Sequence, residues 1–208
     1  MTYSLLYYYF CLVIKELSRM KNIAIVAGGN SSEYEVSIKS GRNIYNEIDE
    51  EKYNKYLVIL KGRDWHVEMG EEKIPVDKND FSFLLNGEKV VFDFAYITIH
   101  GVPGENGLLE GYLDMMNVPY SCCDVLASAL TFDKHTCNTY LKGYGVNVAD
   151  SVMLERGVEY DISEIIGVVG LPCFVKPNAE GSSFGATKVR EASQLEGALK
   201  KAFALCQE

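Results

Sequence analysis

The segment Lys176-Pro-Asn-Ala-Glu-Gly-Ser-Ser-Phe-Gly185 combines a cation, small residues and two adjacent hydroxyls. Its lysine closes an apolar run, Leu171-Pro-Cys-Phe-Val175, so an ammonium is expected at the end of a buried strand. A charge in that setting needs an anion or a carboxylate partner. The backbone that follows is rich in N–H and hydroxyl donors and can close over phosphoryl oxygens. Ser182 and Ser183 could also read as nucleophiles, and Gly181-Ser-Ser-Phe-Gly185 has the G-x-S-x-G spelling. A strand rather than a helix is expected to follow it, so it lacks the strand-to-helix setting of a nucleophile elbow, and hydrogen bonding to phosphate is the better role. The chain has no Walker A sequence, which disfavours a P-loop nucleotidase.

Three further segments carry side chains with chemical potential. Gly28-Gly-Asn-Ser-Ser-Glu33 follows a β-branched run, where glycines let a ligand approach the backbone at the carboxyl end of a parallel sheet. It is not G-x-G-x-x-G, and taken alone it is equally consistent with a plain strand–turn–cap carrying a solvated Glu33. His100-Gly-Val-Pro-Gly-Glu-Asn-Gly107 also ends a strand, and its glycines permit an irregular loop presenting His100 and Glu105 to one crevice. A lone histidine is more often structural, and here the glycines tilt the reading toward a site. Lys134, in Thr131-Phe-Asp-Lys134, would by itself be a surface lysine. Paired with Lys176 and the closing loop, it completes a plausible phosphate grip.

Elements must hold these loops in place. Residues 23–27 read as a buried parallel strand, and Ser32 with Glu35 as a capping box opening a helix. Val36, Ser40, Ile44 and Ile48 recur every four residues along that helix, and 56–60 is the next strand. Strand, helix and strand make a βαβ unit. Residues 61–90 are polar, with Trp65 and Val67 suggesting a small hairpin. A strand over 92–99 precedes the His100 loop. Next comes a helix with apolar positions Leu108, Leu109, Tyr112, Leu113 and Met116, then a short strand over 118–120. A helical stretch over 124–141 stops at Gly143–Gly145. Beyond it the pattern predicts strands over 146–153, 173–176 and 186–190 with helices over 161–166 and 192–206. This α+β block puts a domain boundary near 125–145.

The chain has 208 residues, 48% of them hydrophobic, enough for a proper core. A net charge of -9 argues against a nucleic-acid footprint. Six cysteines (Cys11, Cys122, Cys123, Cys137, Cys173, Cys206) form no C-x-x-C pair and read as reduced thiols of a cytoplasmic protein. The apolar run over 5–14 is too short to span a bilayer, and its charges, Lys15, Glu16 and Arg19, follow it. Residues 1–19 are therefore expected to be an extension upstream of a start at Met20. A membrane-surface anchor is the alternative.

Taken together the segments resemble D-alanine–D-alanine ligases of the ATP-grasp superfamily, from about Lys21 to the C-terminus. Five motifs carry the resemblance in order: Gly28-Gly-Asn-Ser-Ser-Glu-Tyr-Glu-Val-Ser37, His100–Gly107, Pro119-Tyr-Ser-Cys-Cys123, Ala127-Ser-Ala-Leu-Thr-Phe-Asp-Lys134 and Leu171–Gly185. It implies an α/β fold: a Rossmann-like, pre-ATP-grasp parallel-sheet domain over 20–130, then the small central α+β ATP-grasp subdomain over 131–208. The implied reaction joins two D-alanines at the expense of ATP through an acyl phosphate, for peptidoglycan precursors, by positioning and charge stabilisation. Glu33 would hold the ammonium of the first D-alanine, and His100 would face that substrate. Ser182 would tie the loop to Glu33 through a tyrosine beyond this chain's end. Ser183 and the loop at Glu180 and Gly181 would contact the nucleotide, with Lys134 and Lys176 on its phosphates. Asn106 stands where the family usually has aspartate, a mild departure.

The resemblance also implies a C-terminal truncation. In the family the adenine-gripping strand, a substrate-binding arginine and the acidic group that holds two Mg²⁺ (or Mn²⁺) ions come after the position of Glu208. The C-terminal ATP-grasp half is therefore expected to be missing, with no metal ligand present, weak or absent ATP affinity and no turnover by the chain alone. A gene fragment and a natural short form both fit that expectation. Homodimerisation through the N-terminal domain, without nucleic acid or membrane partners, is also implied. The alternatives are a D-alanine–D-lactate ligase, another ATP-grasp carboxylate–amine ligase, or a non-catalytic binding fragment.

Overall fold

The computed structural model describes residues 19–179 and 185–205. The chain divides into two compact units, one made of residues 1–99 and 112–122, the other of 100–111 and 123–208.

The first unit is built on a five-stranded sheet in the order β4-β3-β2-β1-β7. Its strands are β1 (Lys21–Gly28), β2 (Tyr53–Lys61), β3 (Asp64–Met69), β4 (Glu72–Pro75) and β7 (Phe94–Ile97). β1 runs parallel to both β2 and β7, and α1 (Tyr34–Glu47) supplies the crossover that parallel pairing requires. β3 and β4 extend the sheet antiparallel. The hairpin expected around Trp65 thus belongs to the main sheet, and a second hairpin, β5 (Ser82–Leu85) with β6 (Glu88–Val91), stands apart from it. The short strand expected over 118–120 reduces to one parallel bridge between Tyr120 and Ala95.

Alternation sorts the strand residues between two faces. Ile25 and Ala27 of β1 join Leu57 and Ile59 of β2 under Ile38, Ile44 and Tyr45 of α1 and Ile48 just past its end. The fully buried isoleucines among them, Ile25 and Ile59, each stabilise the fold by about 1.5–3 kcal/mol. Of the expected stripe Val36, Ser40, Ile44 and Ile48, the last two pack on this core, whereas Val36 is 54% exposed. Ser37 and Gly41 face the sheet instead, because the helix lies too close to it for larger residues. A Cβ on Gly41 would sit 2.7 Å from the Ala27 Cβ. Elsewhere in the unit, Phe81, Phe83, Phe92 and Tyr56 form an aromatic cluster, with Phe83 stacked on Phe92 at 5.5 Å. Tyr112 packs edge-on to Phe81 and donates to the Lys78 carbonyl at 3.0 Å, and burial pushes its phenol up to about 12.

The second unit holds α3 (Val125–Phe132), α4 (Lys134–Gly143), α5 (Ile162–Val169), the pair β8 (Cys173–Val175) and β9 (Thr187–Val189), a 3-10 turn at Ala192–Gln194, and α6 (Leu195–Leu205). Helix α2 (Leu108–Met115) begins in this unit and ends in the first. The core of the second unit gathers Ile165, Val189, Leu195, Ala198 and Leu199, with Cys173, Val175 and Phe203 packed on it. Asp161 caps α5 by accepting from Ser163 N at 2.6 Å, and Gly170 closes it with φ of +69°.

Two expectations fail here for identifiable reasons. No strand forms over 146–153, although the residues alternate. Among the described residues nothing offers this segment a ladder, and Val146, Val152 and Met153 are exposed. The expected helix over 124–141 breaks at Asp133, whose backbone is extended (φ −82°, ψ 106°). Asp133 ends α3 and caps α4, accepting from Thr136 N at 2.7 Å, so Lys134 opens a helix of its own.

Candidate functional site

In the first unit, β1 delivers the chain into the Gly28–Glu33 turn. Gly28 has φ of +103°, and a Cβ there would lie 2.3 Å from the Leu60 carbonyl oxygen, so only glycine fits. Gly29 N donates to that same carbonyl at 2.8 Å. Asn30 Oδ1 accepts from Gly62 N at 2.7 Å. The helix starts later than the sequence predicted: Glu33 is the N-cap of α1, and the Ser32–Glu35 box gives way to Ser31 Oγ accepting from Glu33 N at 3.1 Å. Glu33 is half-buried. Beneath it the fully buried Ser37 Oγ accepts from Gly28 N at 2.8 Å, and Thr98 Oγ1 reaches the Val26 and Ser37 carbonyls. These two hydroxyls fix the turn that presents Glu33. Neither had been singled out as a candidate residue, although Ser37 lies inside one of the quoted motifs.

The His100 loop lies in the second unit. Gly101 N donates to Glu105 Oε2 at 2.7 Å, and the Gly104 and Glu105 amides return to the Gly101 carbonyl at 2.9 Å each. Glu105 therefore braces the loop with one carboxylate oxygen and faces His100 with the other. His100 Nδ1 lies 3.9 Å from Glu105 Oε1. Asn106 Oδ1 accepts from Leu108 N at 3.3 Å, a role that an aspartate would also fill.

Gly107 approaches α3 so closely that a Cβ would meet the Val125 carbonyl at 2.8 Å. Helix α2 buries Leu109 and Leu113 as expected, with Tyr112 and Met116 half-buried, while Leu108 is 62% exposed and Glu110 is fully buried. Ser128 Oγ, which also contacts Cys123 Sγ at 3.2 Å, reaches Glu110 Oε1 at 3.5 Å. Glu110 Oε2 has no partner, and burial pushes the carboxyl above the usual carboxylate range.

The two lysines belong to this unit as well, and one short segment links them. Lys134 Nζ and N both donate to the Asn178 carbonyl, at 3.0 and 3.3 Å. Asn178 Oδ1 accepts from His135 N at 2.9 Å, and Asn178 Nδ2 donates to Asp133 Oδ2 at 2.6 Å. Burial opposes ionisation of Asp133, but the donors on Thr136 and Asn178 outweigh it and hold the carboxyl below its usual range.

Lys176 departs from expectation. It is exposed, not buried, because β8–β9 is a two-stranded ribbon covered on one face only. Cys173 and Val175 turn toward the core, while Phe174 is 59% exposed. The Lys176 and Lys188 ammonium groups lie 5.7 and 5.8 Å from the Phe174 ring centroid.

The loop returns at Gly185, where a Cβ would come within 2.9 Å of the Pro177 ring. Glu180, Gly181, Ser182 and Ser183 lie outside the described residues, as do Cys11 and Cys206. The four described cysteines that are assigned, Cys122, Cys123, Cys137 and Cys173, are free thiols.

Chemically, the second unit offers ammonium groups, backbone amides and a helix start around the root of the loop, a donor set suited to an anion. Among the described residues no cluster of three or more His, Cys, Asp or Glu is placed to hold a metal ion. Among the described residues, too, no helix is long and apolar enough to cross a membrane.

Comparison with known proteins follows the same order as these loops. Residues 22–123 match the D-ala D-ala ligase N-terminus family and residues 140–208 the D-ala D-ala ligase C-terminus family. A Bacteroides fragilis protein named D-alanine–D-alanine ligase is 55% identical over 189 residues, covering 90% of this chain and 58% of its own length. A protein of the same name from Phocaeicola vulgatus is 56% identical over 184 residues, covering 88% and 57%. Among solved structures, the VanG D-Ala:D-Ser ligase of Enterococcus faecalis superposes with a TM-score of 0.77 at 31% identity, over 89% of this chain and 60% of its own. A Bacillus anthracis D-alanine–D-alanine ligase complexed with ATP gives 0.69 at 26% identity, over 89% and 56%. The chain thus spans a little under three-fifths of the length of the relatives it matches. With both family regions matched and the fold of the solved ligases reproduced, this chain belongs to the D-alanine–D-alanine ligase family.

Proposed function

We propose that the protein acts in ATP-dependent ligation of two D-alanines to D-alanyl-D-alanine, an ADP-forming reaction that supplies peptidoglycan precursors in the cytoplasm. The carboxylate of the first D-alanine attacks the γ-phosphorus of ATP, ADP departs, and an acyl phosphate results. The amine of the second D-alanine adds to the acyl carbon, and phosphate leaves as the peptide bond forms. No protein nucleophile is needed, so the chain's residues bind and orient. Glu33 holds the first ammonium and His100 faces the same substrate. Lys134 and Lys176, with the loop residues Glu180, Gly181, Ser182 and Ser183, contact the nucleotide. The observation that carries this reading is the Lys134–Asn178 contact, which joins one candidate phosphate lysine to the segment that begins at the other. The B. anthracis ligase–ATP structure supports ATP as the nucleotide.

The domain over 20–130 would supply the Glu33 turn and the surface of a homodimer, and the subdomain over 131–208 the nucleotide side. The 208-residue chain alone would be inactive, with weak ATP affinity, since it spans 58% of the length of its B. fragilis relative. The dipeptide product is favoured by relatives at 54–56% identity that all carry the D-alanine–D-alanine name. The D-Ala:D-Ser specificity of the VanG neighbour keeps a different second substrate as the competing reading.

The test supplies ATP, Mg²⁺ and D-alanine to the chain alone and to the chain joined to the remaining length of the B. fragilis relative. The joined protein should release phosphate only with D-alanine present, and Glu33→Gln should abolish that release. Turnover by the chain alone would overturn its proposed inactivity. Phosphate release that ignores D-alanine would overturn the ligase reading.

A further inference from the structure

The geometry points to Asn178 and Asp133 as a latch that fastens the first arm of the 176–185 loop to the start of α4 and so sets the position of Lys134. This rests on the phosphate role proposed for Lys134, but the latch itself is a separate claim about these side chains. Asn178 spends its whole side chain and its carbonyl on one helix end that lies more than 40 positions earlier in the chain. Its Oδ1 accepts from His135 N, its Nδ2 donates to Asp133 Oδ2, and its carbonyl takes both Lys134 donors. The amides of a first helical turn have no partner within the helix, so a neighbouring acceptor decides where the loop rests. Asp133 completes the arrangement with its other oxygen, which holds Thr136 N at 2.7 Å.

The consequence is a directional link. Lys134 and the loop root move together or not at all, because one carbonyl holds the ammonium and the side chain of that same residue holds the next amide. The arm also has a fixed far side, since Pro177 is buried and Gly185 closes against it. Asn178 and Asp133 are therefore positioning residues: they hold Lys134 ready for an anion without touching that anion themselves.

Exchanging the two side chains separates this role from simple packing. In Asn178→Asp two carboxylates meet across the 2.6 Å contact, and in Asp133→Asn one donor faces another. In the double variant Asp133→Asn/Asn178→Asp every bond is restored. The amide at 133 donates to the carboxylate at 178, which still accepts from His135 N, and the oxygen at 133 still accepts from Thr136 N. Amide exchange of Lys134 and His135 in the labelled 208-residue chain reads the latch directly. We expect each single variant to speed exchange of the His135 amide by roughly tenfold or more, and the double variant to return within about threefold of wild type. Unchanged exchange in the single variants, or a double variant no better than the worse single, overturns the latch. Millimolar ATP then reads its use. Shifts of the Lys134 and His135 signals that vanish in the single variants and return in the exchange support positioning for phosphate. Shifts unchanged in the single variants overturn it. An absence of shifts in the wild-type chain counts against the phosphate reading of Lys134, and amide exchange alone then decides the latch.

Discussion

The two units place their candidate residues in opposite ways. In the first, Glu33 stands on a turn whose backbone is held by Ser37, Leu60 and Ser31 at the end of a strand buried along most of its length. In the second, Lys176 follows a three-residue strand on a ribbon with one uncovered face, and Lys134 is held by side-chain bonds to a distant segment. The lesson is that one unit positions by burial and the other by a few polar contacts. Local stability varies accordingly within one chain, and elements with few buried contacts open most readily.

Core truncation should break this contrast most visibly. Phe83→Ala removes a fully buried ring from a cluster of three phenylalanines and should cost about 3–5 kcal/mol, read as a lower urea midpoint. Leu199→Ala in the smaller core of the second unit should cost about 2–3 kcal/mol and leave the near-ultraviolet signal of the Phe–Tyr–Trp cluster unchanged. Loss of both signals together would show that the two units unfold as one.

Glu110→Gln sharpens the comparison through pH. Burial raises the folded pKa of Glu110 above its unfolded value, so the stability tied to its neutral form is fully present below the unfolded pKa. It is lost as pH rises through the folded value. The glutamine variant should therefore be the more stable protein at pH 8, and the advantage should shrink toward pH 4. An advantage independent of pH would mean that the carboxyl is not titrating in that range. The smallest effect belongs to Phe174→Ala, whose ring is mostly exposed: stability should change by less than about 0.5 kcal/mol in thermal unfolding.

Legibility in the sequence divides along the same line. The β1–α1–β2 unit could be read because β-branched runs, a helix of crossover length and glycine turns all agree locally. The five motifs were likewise readable as a family signature; four of them lie inside the two matched family regions, and Ala127–Lys134 falls between them. What escaped depends on contacts far apart in the chain. Alternation over 146–153 suggested a strand, but a strand needs a partner, and among the described residues none pairs there. On α2 the burial of Leu109 and Leu113 was legible, but that of Glu110 was not, since nothing near it announces that Gly107 packs against Val125. Lys176 was expected inside a core strand, since a three-residue apolar run does not reveal that one face of the ribbon is uncovered. Asp133 carried a local signal, an N-cap type before a helical run, whereas Asn178 had none.

We propose the root of the 176–185 loop, with Lys134, as the place where this chain meets a nucleotide. Titration of ATP into the isotope-labelled chain, followed by amide signals, tests it most directly. Concentration-dependent shifts are expected at Lys134, His135 and 176–178, while the buried strand Lys21–Gly28 stays silent. Shifts centred on the Gly28–Glu33 turn, with none at Lys134 or 176–178, would contradict it.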